Sequence, residues 1–308
     1  MNKASPLNHE FLTQLDDYIK TKRYRLINAV VVYENGELVF ERYYNKYTPD
    51  TRNQIKSVWK SILSLTLGIC LDKGLIKSVD EPICRYLPNF AENIQPYHKS
   101  ITIKHLLTMT SGIYWNGGVH YHCPMLEQLR RSRDWMAHLA DVKTADFPGT
   151  KFVYKEWDVI LLSAVIGAAC GRSSWEVCYE YLYNPLDIKS DKWTQSKCGV
   201  DFPSWGDDLT SDLTARDMAK VGLLILNDGK WYGQRLISSE YIKEMTTPSP
   251  AYSGYGLLIW LSDKGYHARG YSGQEINIYP DKNTVAVVQA TVSPSSKHYP
   301  DICENIFC

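Results

Sequence analysis

The sequence predicts an α/β protein, of the α+β type, whose single antiparallel sheet is assembled from both ends of the chain. Three observations support this prediction. Two runs of β-branched and aromatic residues stand near the start, the strand pattern returns after residue 255, and helical patterns dominate the region between. Strands at both ends with helices in the middle are typical of a sheet with a helical insertion packed beside it.

The first two strands and the first long helix are predicted from short local patterns. Ile27 to Val32 and Leu38 to Tyr44 flank Asn35-Gly36, and Asn-Gly between two such runs is a strong hairpin signal. A helix follows, because apolar residues then recur at alternating steps of three and four, and Gly74 is placed to end it. The residues of this apolar stripe are Ile55, Val58, Ile62, Leu65 and Ile69.

The middle of the chain, residues 76–209, is expected to form a mainly helical region. Ile101 to Met109 and Val159 to Ala169 have the composition of buried helices, and the loops around them are rich in Gly, Pro and Trp. No internal repeat and no low-complexity linker divides the chain. We therefore expect one unit, in which residues 1–75 and 210–308 together form the α/β sheet region.

Three further strands are predicted near the end of the chain. They are Tyr255 to Leu261, Glu275 to Tyr279 and Thr284 to Thr291, all rich in β-branched or aromatic residues. A glycine-rich turn, residues 269–274, separates the first of these from the second. These strands would complete the sheet that the first hairpin begins.

Composition excludes several classes of function. The chain has 308 residues, 44% hydrophobic and 22% charged, which is the mix of a globular protein and not of a disordered one. Lys+Arg and Asp+Glu each number 34, so no global basic field indicates a nucleic-acid partner or an anionic membrane. The 22 Tyr and 9 Trp exceed the needs of a core, and we expect some of them to line a binding cleft.

Neither a membrane segment nor an export signal is predicted. The longest uncharged apolar run, Val159 to Gly171, is too short to span a bilayer, and Met1 to Glu10 lacks the apolar core of a signal peptide. The eight cysteines are scattered without a CxxC pair. Free thiols in a reducing cytoplasm are therefore expected. The oligomeric state is left open.

The first chemical candidate is the Ser57-Val58-Trp59-Lys60 segment at the start of the apolar helix. Residues three apart share a helical face, so the Ser57 hydroxyl and the Lys60 amine can meet. A serine is a poor nucleophile until a neighbouring base takes its proton, and a lysine serves as that base when its pKa is depressed. The alternative reading is a solvated helix face, but this Ser-x-x-Lys follows directly on the first hairpin.

Two further segments are candidates on weaker grounds. Pro148-Gly149-Thr150 precedes Tyr154. A tyrosine after such a turn more often packs in the core than takes part in catalysis. The turn from Arg269 to Gln274 contains glycines that permit close approach of the backbone to a ligand, although a simple hairpin would also explain it.

Together these segments resemble the serine β-lactamase and penicillin-binding-protein-like hydrolases, in particular the class C-related esterase and 6-aminohexanoate-oligomer hydrolase branch. Ser57-x-x-Lys60 resembles the nucleophile motif of that family, and the segment ending at Tyr154 resembles the one that carries its catalytic tyrosine. Three more stretches match in the family's order: Thr102 to Gly112, Leu209 to Gly229, and Tyr255-Gly256-Leu257 with the following glycine-rich turn. The resemblance implies a β-lactamase/transpeptidase-like fold.

The resemblance also implies roles for individual residues. Ser57 would attack a carbonyl and form an acyl-enzyme, while Lys60 and Tyr154 would share the proton transfers. The oxyanion hole would consist of the backbone N–H groups of Ser57 and Tyr271, the latter following Gly270. The substrate would be a small ester, amide or peptide-like molecule, with no cofactor.

Two departures from the family pattern bear on the substrate. The lactamases carry Tyr-x-Asn where this chain has Tyr154-Lys155-Glu156, and a Glu beside Lys60 would favour the charged ammonium unless it binds a cationic substrate group. Their Lys-Thr-Gly strand motif is also missing, with Arg269 before Gly270 as a substitute cation. Ester or amide hydrolysis is therefore ranked above β-lactamase activity.

Other readings remain open from the sequence. Trp115 is expected to line the substrate pocket together with Glu156, Arg269 and Gly270, or to be a core aromatic. His120-Tyr121-His122-Cys123 has metal-binding residue types, but adjacent positions rarely converge on one ion, so no metal is expected. Asp158, four residues after Tyr154 on the same helical face, either positions the cleft or is a surface carboxylate, and the surface reading is preferred. The alternative functions are a β-lactamase or D-amino-acid peptidase, a transacylase, and a non-catalytic ligand-binding relative.

Overall fold

The computed structural model describes residues 7–92, 95–118, 123–204, 211–295 and 297–307. Its centre is a six-stranded sheet in the order β2-β1-β10-β9-β8-β7, with every neighbouring pair antiparallel. Two short ribbons, β3 with β4 and β5 with β6, lie outside it. The strands are β1 Ile27–Glu34, β2 Glu37–Tyr43, β3 Asn53–Gln54, β4 Asp212–Leu213, β5 Lys230–Trp231, β6 Gln234–Arg235, β7 Trp260–Ser262, β8 Gly265–Gly270, β9 Gln274–Tyr279 and β10 Thr284–Ala290.

The helices cover both faces of the sheet and fill the middle of the chain. They are α1 His9–Thr13, α2 Leu15–Thr21, α3 Val58–Asp72, α4 Ile103–Leu107, α5 Pro124–Arg131, α6 Trp135–Asp141, α7 Glu156–Cys170, α8 Ser174–Cys178, α9 Ala215–Leu226, α10 Ser239–Met245 and α11 Pro300–Asn305. A π-helical turn, Tyr179–Tyr183, continues α8, and short 3₁₀ turns stand at 83–85, 88–90, 98–100 and 280–282.

The predicted sheet built from both chain ends is confirmed. Strand β1 pairs with β2 on one side and with β10 on the other, from Ile27 opposite Ala290 to Glu34 opposite Thr284. The hairpin turn has positive φ at both Asn35 and Gly36, +53° and +83°, which is the conformation that Asn-Gly favours in a two-residue hairpin. The division of the chain near residues 75 and 210 stays a prediction.

The elements differ from the sequence prediction in detail near the end of the chain. The strand predicted over Tyr255 to Leu261 is wrong for most of its length, since β7 begins only at Trp260. Leu258 has φ +56°, a left-handed conformation that no strand accommodates. Strand β8 is an additional strand that the sequence pattern did not reveal.

Alternation along the strands separates two hydrophobic cores. Val31 faces the larger core, which contains α3, α7 and α9, whereas its neighbours Val30 and Val32 face a smaller core under α1, α2 and α11. Successive strand side chains point to opposite faces, so a strand buried on both sides is apolar at every position. The larger core fixes α3 against the sheet, and α3 carries Ser57 and Lys60 at its start.

Helix α3 is buried along nearly its whole length. Thirteen residues from Val58 to Cys70 are buried, so the hydrophobic side chains contribute about 1.5–3 kcal/mol each when removed from water. The predicted stop is observed, with Gly74 at φ +69° and its N–H bonded to the Leu71 carbonyl. Within the described ranges, none of the helices combines the length and the apolarity required to cross a bilayer.

Candidate active site

Ser57 and Lys60 meet at the first turn of α3. Ser57 directly precedes the helix, and the Nζ of Lys60 donates a 2.8 Å hydrogen bond to its Oγ. The Lys60 side chain is only 1% exposed. The structure therefore brings a serine hydroxyl and a buried amine into direct contact, as the spacing of three residues predicted.

The residue before Ser57 is held in a strained backbone conformation. Lys56 has φ +50° although it carries a side chain, and it is buried. A left-handed non-glycine residue costs about 1–3 kcal/mol, and such residues cluster at functional sites. The turn that follows is closed by hydrogen bonds from the Trp59 N–H to the Lys56 carbonyl and from the Lys60 N–H to the Ser57 carbonyl. This turn presents Ser57 at the positive end of the α3 dipole.

Gly270, the last residue of β8, lies directly against the start of α3. A Cβ added to Gly270 would stand 2.2 Å from the Ile55 carbonyl oxygen and 3.2 Å from the backbone nitrogen of Ser57. Only glycine permits this approach. Tyr271 follows at the same end of the strand and is half-buried. The assignment of its N–H to an oxyanion hole stays a prediction.

Tyr154 completes the immediate surroundings of Lys60. The Lys60 Nζ lies 5.1 Å from the centroid of the Tyr154 ring, and the ring stacks on Trp260 with centroids 5.5 Å apart. Burial raises the pKa of the Tyr154 phenol, and the opposing attraction of the Lys60 ammonium does not cancel this effect. Tyr154 is therefore a neutral phenol at neutral pH.

Glu156 forms an ion pair with Lys60. Its Oε1 lies 2.8 Å from the Lys60 Nζ, and its side chain is 14% exposed. Burial lowers the pKa of Lys60, but Glu156 and Tyr154 together raise it by more, so the net shift is upward. Lys60 is therefore an ammonium in the resting protein, which agrees with the expectation for a Glu at this position.

A second buried ion pair joins Lys155 and Asp158, which stand one residue before and two residues after Glu156. Lys155 and Asp158 are 1% and 0% exposed, with Nζ and Oδ2 3.7 Å apart. Asp158 also accepts a 2.5 Å hydrogen bond from the Ser111 Oγ. Burial raises the pKa of Asp158 to about 6. The expectation of a surface carboxylate at Asp158 is wrong, because its partners fold over it from other parts of the chain.

Comparison with known proteins identifies the family of this chain. The model of the family described as Beta-lactamase matches residues 15–302 of this chain. The chain belongs to the Beta-lactamase family. Members of this family are serine hydrolases, and the enzyme class predicted from the sequence is confirmed.

Individual relatives of this Beta-lactamase family member are distant. An uncharacterized protein of Alkalihalophilus pseudofirmus is 25% identical, covering 84% of this chain and 82% of that protein. The 6-aminohexanoate-dimer hydrolase of Paenarthrobacter ureafaciens is 24% identical over a match that covers 76% of this chain and 60% of that protein. The structure of a penicillin binding protein from Bacillus halodurans has a TM-score of 0.73 at 20% identity, covering 94% of this chain and 98% of that one. The predicted β-lactamase/transpeptidase-like fold is confirmed.

Arg269 does not join the other site residues of this Beta-lactamase family chain. It stands opposite Glu275 in the β8–β9 ladder, and its charge acts on Glu275, Tyr279 and Cys303, which lie on the α11 side of the sheet. Since side chains alternate along a strand, Arg269 and the α3-facing Ala268 point to opposite faces. The expectation that Arg269 contacts substrate is corrected accordingly.

Trp115 lies near the start of α7. Its ring packs edge-on against Trp157, 4.7 Å between centroids, and it is partly buried. Because Trp157 follows Glu156, this contact places Trp115 near the first turn of α7. Its role as a pocket wall stays a prediction.

The candidate metal motif falls largely outside the described residues. His120, Tyr121 and His122 are not among them, while Cys123 is buried and precedes α5. Among the residues that the structure describes, no group of three or more His, Cys, Asp or Glu side chains is arranged to hold a metal ion.

Sequence reasoning missed two features of the site. The strain at Lys56 has no sequence signal, because any residue could occupy that position before a helix. The Lys155–Asp158 pair did have a sequence signal, because opposite charges stand three residues apart at the start of a helix. The burial of Asp158, however, depends on Ser111, which lies far away in the chain.

Proposed function

We propose that this protein hydrolyses a small ester or amide through an acyl-enzyme on Ser57. The observation that carries the proposal is the 2.8 Å hydrogen bond between the buried Lys60 Nζ and the Ser57 Oγ. A nucleophile and a proton-transferring group within hydrogen-bond reach, with a third group orienting the second, is the arrangement that covalent catalysis requires. Here Glu156 orients Lys60.

Ser57 would attack the carbonyl carbon while the developing negative charge moves to the carbonyl oxygen. The backbone N–H groups of Ser57 and Tyr271 would stabilise that oxygen. The close approach of Gly270 to the Ser57 nitrogen supports this assignment, since it sets the end of β8 beside the nucleophile. The positive end of the α3 dipole would add to the stabilisation.

Tyr154 would donate a proton to the leaving group. It is a neutral phenol beside Lys60, so it can donate a proton and receive one back from the lysine. On deacylation the same pair would orient the attacking water.

An ester or amide is favoured over a β-lactam as substrate. In the stretch that stands in place of the Lys-Thr-Gly motif of the lactamases, Ala268 is buried in the larger core with α3, and Arg269 faces away. Aromatic side chains instead surround the site, which supports an apolar group beside the scissile bond. They are Phe152, Tyr154, Tyr252, Tyr255 and Trp260. A related protein, longer than the matched region, is named a 6-aminohexanoate-dimer hydrolase.

The proposal is tested by intact-protein mass after treatment with a fluorophosphonate. We expect one adduct on the wild type, mapped to Ser57 and absent from Ser57→Ala. Ser61→Ala is the matched control, because Ser61 lies one turn further along α3 and its Oγ donates to the Leu258 carbonyl. A wild type that stays unlabelled while another serine hydrolase of this family reacts would overturn the proposal and favour a ligand-binding role. A panel of esters, amides and β-lactams would then define the substrate.

We also propose a cytoplasmic location. The support is that the seven described cysteines are free thiols, five of them buried or half-buried in the larger core. Free thiols persist in reducing compartments. Fractionation of the source cells with an antibody to the protein tests this, and recovery outside the cytoplasm would contradict it.

A further inference from the structure

Three groups at the start of α3 and α7 form a continuous chain of hydrogen bonds. The Ser57 Oγ lies 2.8 Å from the Lys60 Nζ, and the same Nζ lies 2.8 Å from the Glu156 Oε1. A proton can pass between heavy atoms at this separation. The Lys60 Nζ is the donor in both bonds, so once Glu156 has taken a proton, rotation about the Cε–Nζ bond must turn the lone pair toward Ser57. The chain therefore connects the hydroxyl of Ser57 to a carboxylate through one nitrogen.

The charges along this chain of hydrogen bonds prevent Lys60 from acting as a base by itself. The ammonium of Lys60 has no free electron pair with which to accept the proton of Ser57. Glu156 and Tyr154 outweigh the effect of burial and keep the pKa of Lys60 raised. Tyr154 cannot accept the proton either, because burial raises its own pKa and keeps it a phenol.

We propose that Glu156 is a positioning residue that takes a proton from Lys60, after which the neutral Lys60 amine takes the proton of Ser57. The inference rests on the proposed function and specifies where the proton of the nucleophile goes. Glu156 would accept a proton from Lys60, and Lys60 would act as a proton relay whose net charge changes only transiently.

The step balances without any group from solvent. The O–H bond of Ser57 and one N–H bond of Lys60 break, while a new N–H bond on Lys60 and an O–H bond on Glu156 form. The electron pair of the Ser57 oxygen forms the bond to the carbonyl carbon, and the π pair moves to the carbonyl oxygen. When the intermediate collapses, the proton returns from Glu156 through Lys60 to Tyr154 and the leaving group.

The surroundings of Glu156 suit this role. The titratable described groups that face it are Lys60 from α3, Tyr154 beside α7, Tyr255 from the segment before β7, and Cys123 before α5. Lys60 is the one cation among these four. The Oε2 of Glu156 is buried and has no hydrogen-bond partner in the described part of the chain, so no other donor there competes for the carboxylate.

Glu156→Gln tests the relay, since it keeps the shape of the side chain and removes the proton acceptor. The measured quantity is the rate of fluorophosphonate labelling of Ser57 from pH 5 to pH 10. In the wild type we expect a rate that rises on the acid side and is then flat. In Glu156→Gln, Lys60 must first lose a proton to solvent, so we expect a loss of about 100-fold at pH 7 that diminishes as the pH rises.

The opposite outcome is equally defined. If Glu156 only locks Lys60 as an ammonium, its removal frees Lys60 as a base, and Glu156→Gln labels as fast as the wild type or faster at pH 7. That result overturns the relay and leaves the proposed function intact. A wild type that is not labelled at Ser57 overturns both.

Two further variants complete the design. Glu240→Gln removes an exposed carboxylate from the first turn of α10 and is expected to label like the wild type. Glu156→Asp retains the carboxylate and is expected to keep the acid limb of the wild-type profile at a lower rate. If Glu156→Gln does not fold, as judged by circular dichroism, an Asp variant with a labelling rate at or above that of the wild type at pH 7 overturns the relay.

Discussion

The Ser111 Oγ donates a 2.5 Å hydrogen bond to the Asp158 Oδ1, joining residues 47 positions apart. The bond ties the segment between α4 and α5 to the first turn of α7. Because Glu156 begins that turn, the geometry of the Lys60–Glu156 pair depends on a contact made outside the site.

Lys155→Met is expected to destabilise the protein by about 3–5 kcal/mol above neutral pH, because it leaves the buried Asp158 carboxylate without its counter-ion. Urea unfolding followed by circular dichroism measures the change. The double variant Lys155→Met, Asp158→Asn is expected to lose less stability than Lys155→Met alone, since both charges are gone. A double variant less stable than the single one would contradict this account.

Asp158 also predicts a pH dependence of stability. Burial raises its pKa from 3.8 to about 6, so the folded protein retains this proton at pH values where the unfolded chain has lost it. Its contribution to stability is thus fully present below pH 3.8 and is lost as the pH rises through about 6. The free energy of unfolding of the wild type, relative to Asp158→Asn, should fall across this window. A rise across it would show a depressed pKa instead.

Tyr154→Phe is expected to lower hydrolysis of an activated ester by about 100-fold with little change in stability. The ring and its stacking on Trp260 remain, and only the hydroxyl beside Lys60 is lost. The steady-state rate and the thermal midpoint are the two measurements. Tyr252→Phe is the control, because this half-exposed tyrosine belongs to the same aromatic group at its rim. Equal losses of the hydrolysis rate in both variants would show that Tyr154 has no specific role in the proton transfers.

Gly270→Ala is expected to abolish most activity, on the order of 100-fold, because the new methyl group would press on the Ile55 carbonyl and the Ser57 nitrogen. Gly222→Ala is the control. Its methyl group would contact Val285 and Ile276 side chains between α9 and the sheet. It should lower the unfolding midpoint while the folded fraction keeps its rate of ester hydrolysis. A Gly270→Ala variant as active as the wild type would show that this glycine is not required for the oxyanion site.

The cysteines are expected to react with iodoacetamide in an order set by burial. Cys198 is exposed and should be alkylated first, whereas burial raises the pKa of the Cys178 and Cys303 thiols and keeps them protonated. Peptide mapping after brief labelling at neutral pH measures the order. In urea all of them should react. Early labelling of Cys303 in the native protein would indicate that α11 opens from the sheet.

The sequence predicted those parts of the site that depend on local geometry. Ser57 and Lys60 meet because three residues make nearly one helical turn, and the Asn35-Gly36 hairpin forms because two residues with positive φ suit its twist. Both signals lie within a few positions of the chain. They need no knowledge of the tertiary fold.

The features that the sequence analysis placed wrongly depend on distant partners. Asp158 was expected at the surface because Ser111, which covers it, lies far away in the chain. Arg269 was expected at the site, yet strand alternation places it on the other face from Ala268. That error could have been avoided by recognising β8, whose glycines at both ends obscured the strand pattern.

The pairing of β1 with β10 has a consequence for biosynthesis. Residues 27–34 leave the ribosome long before residues 284–290, so β1 must wait for its inner neighbour while about 250 residues are added. During that time the apolar β1–β2 hairpin exposes an open edge, which is a template for pairing with other nascent chains. Non-local pairing of this kind also slows folding. Expression at low temperature or with a chaperone should therefore raise the yield of native protein more than any substitution at the surface.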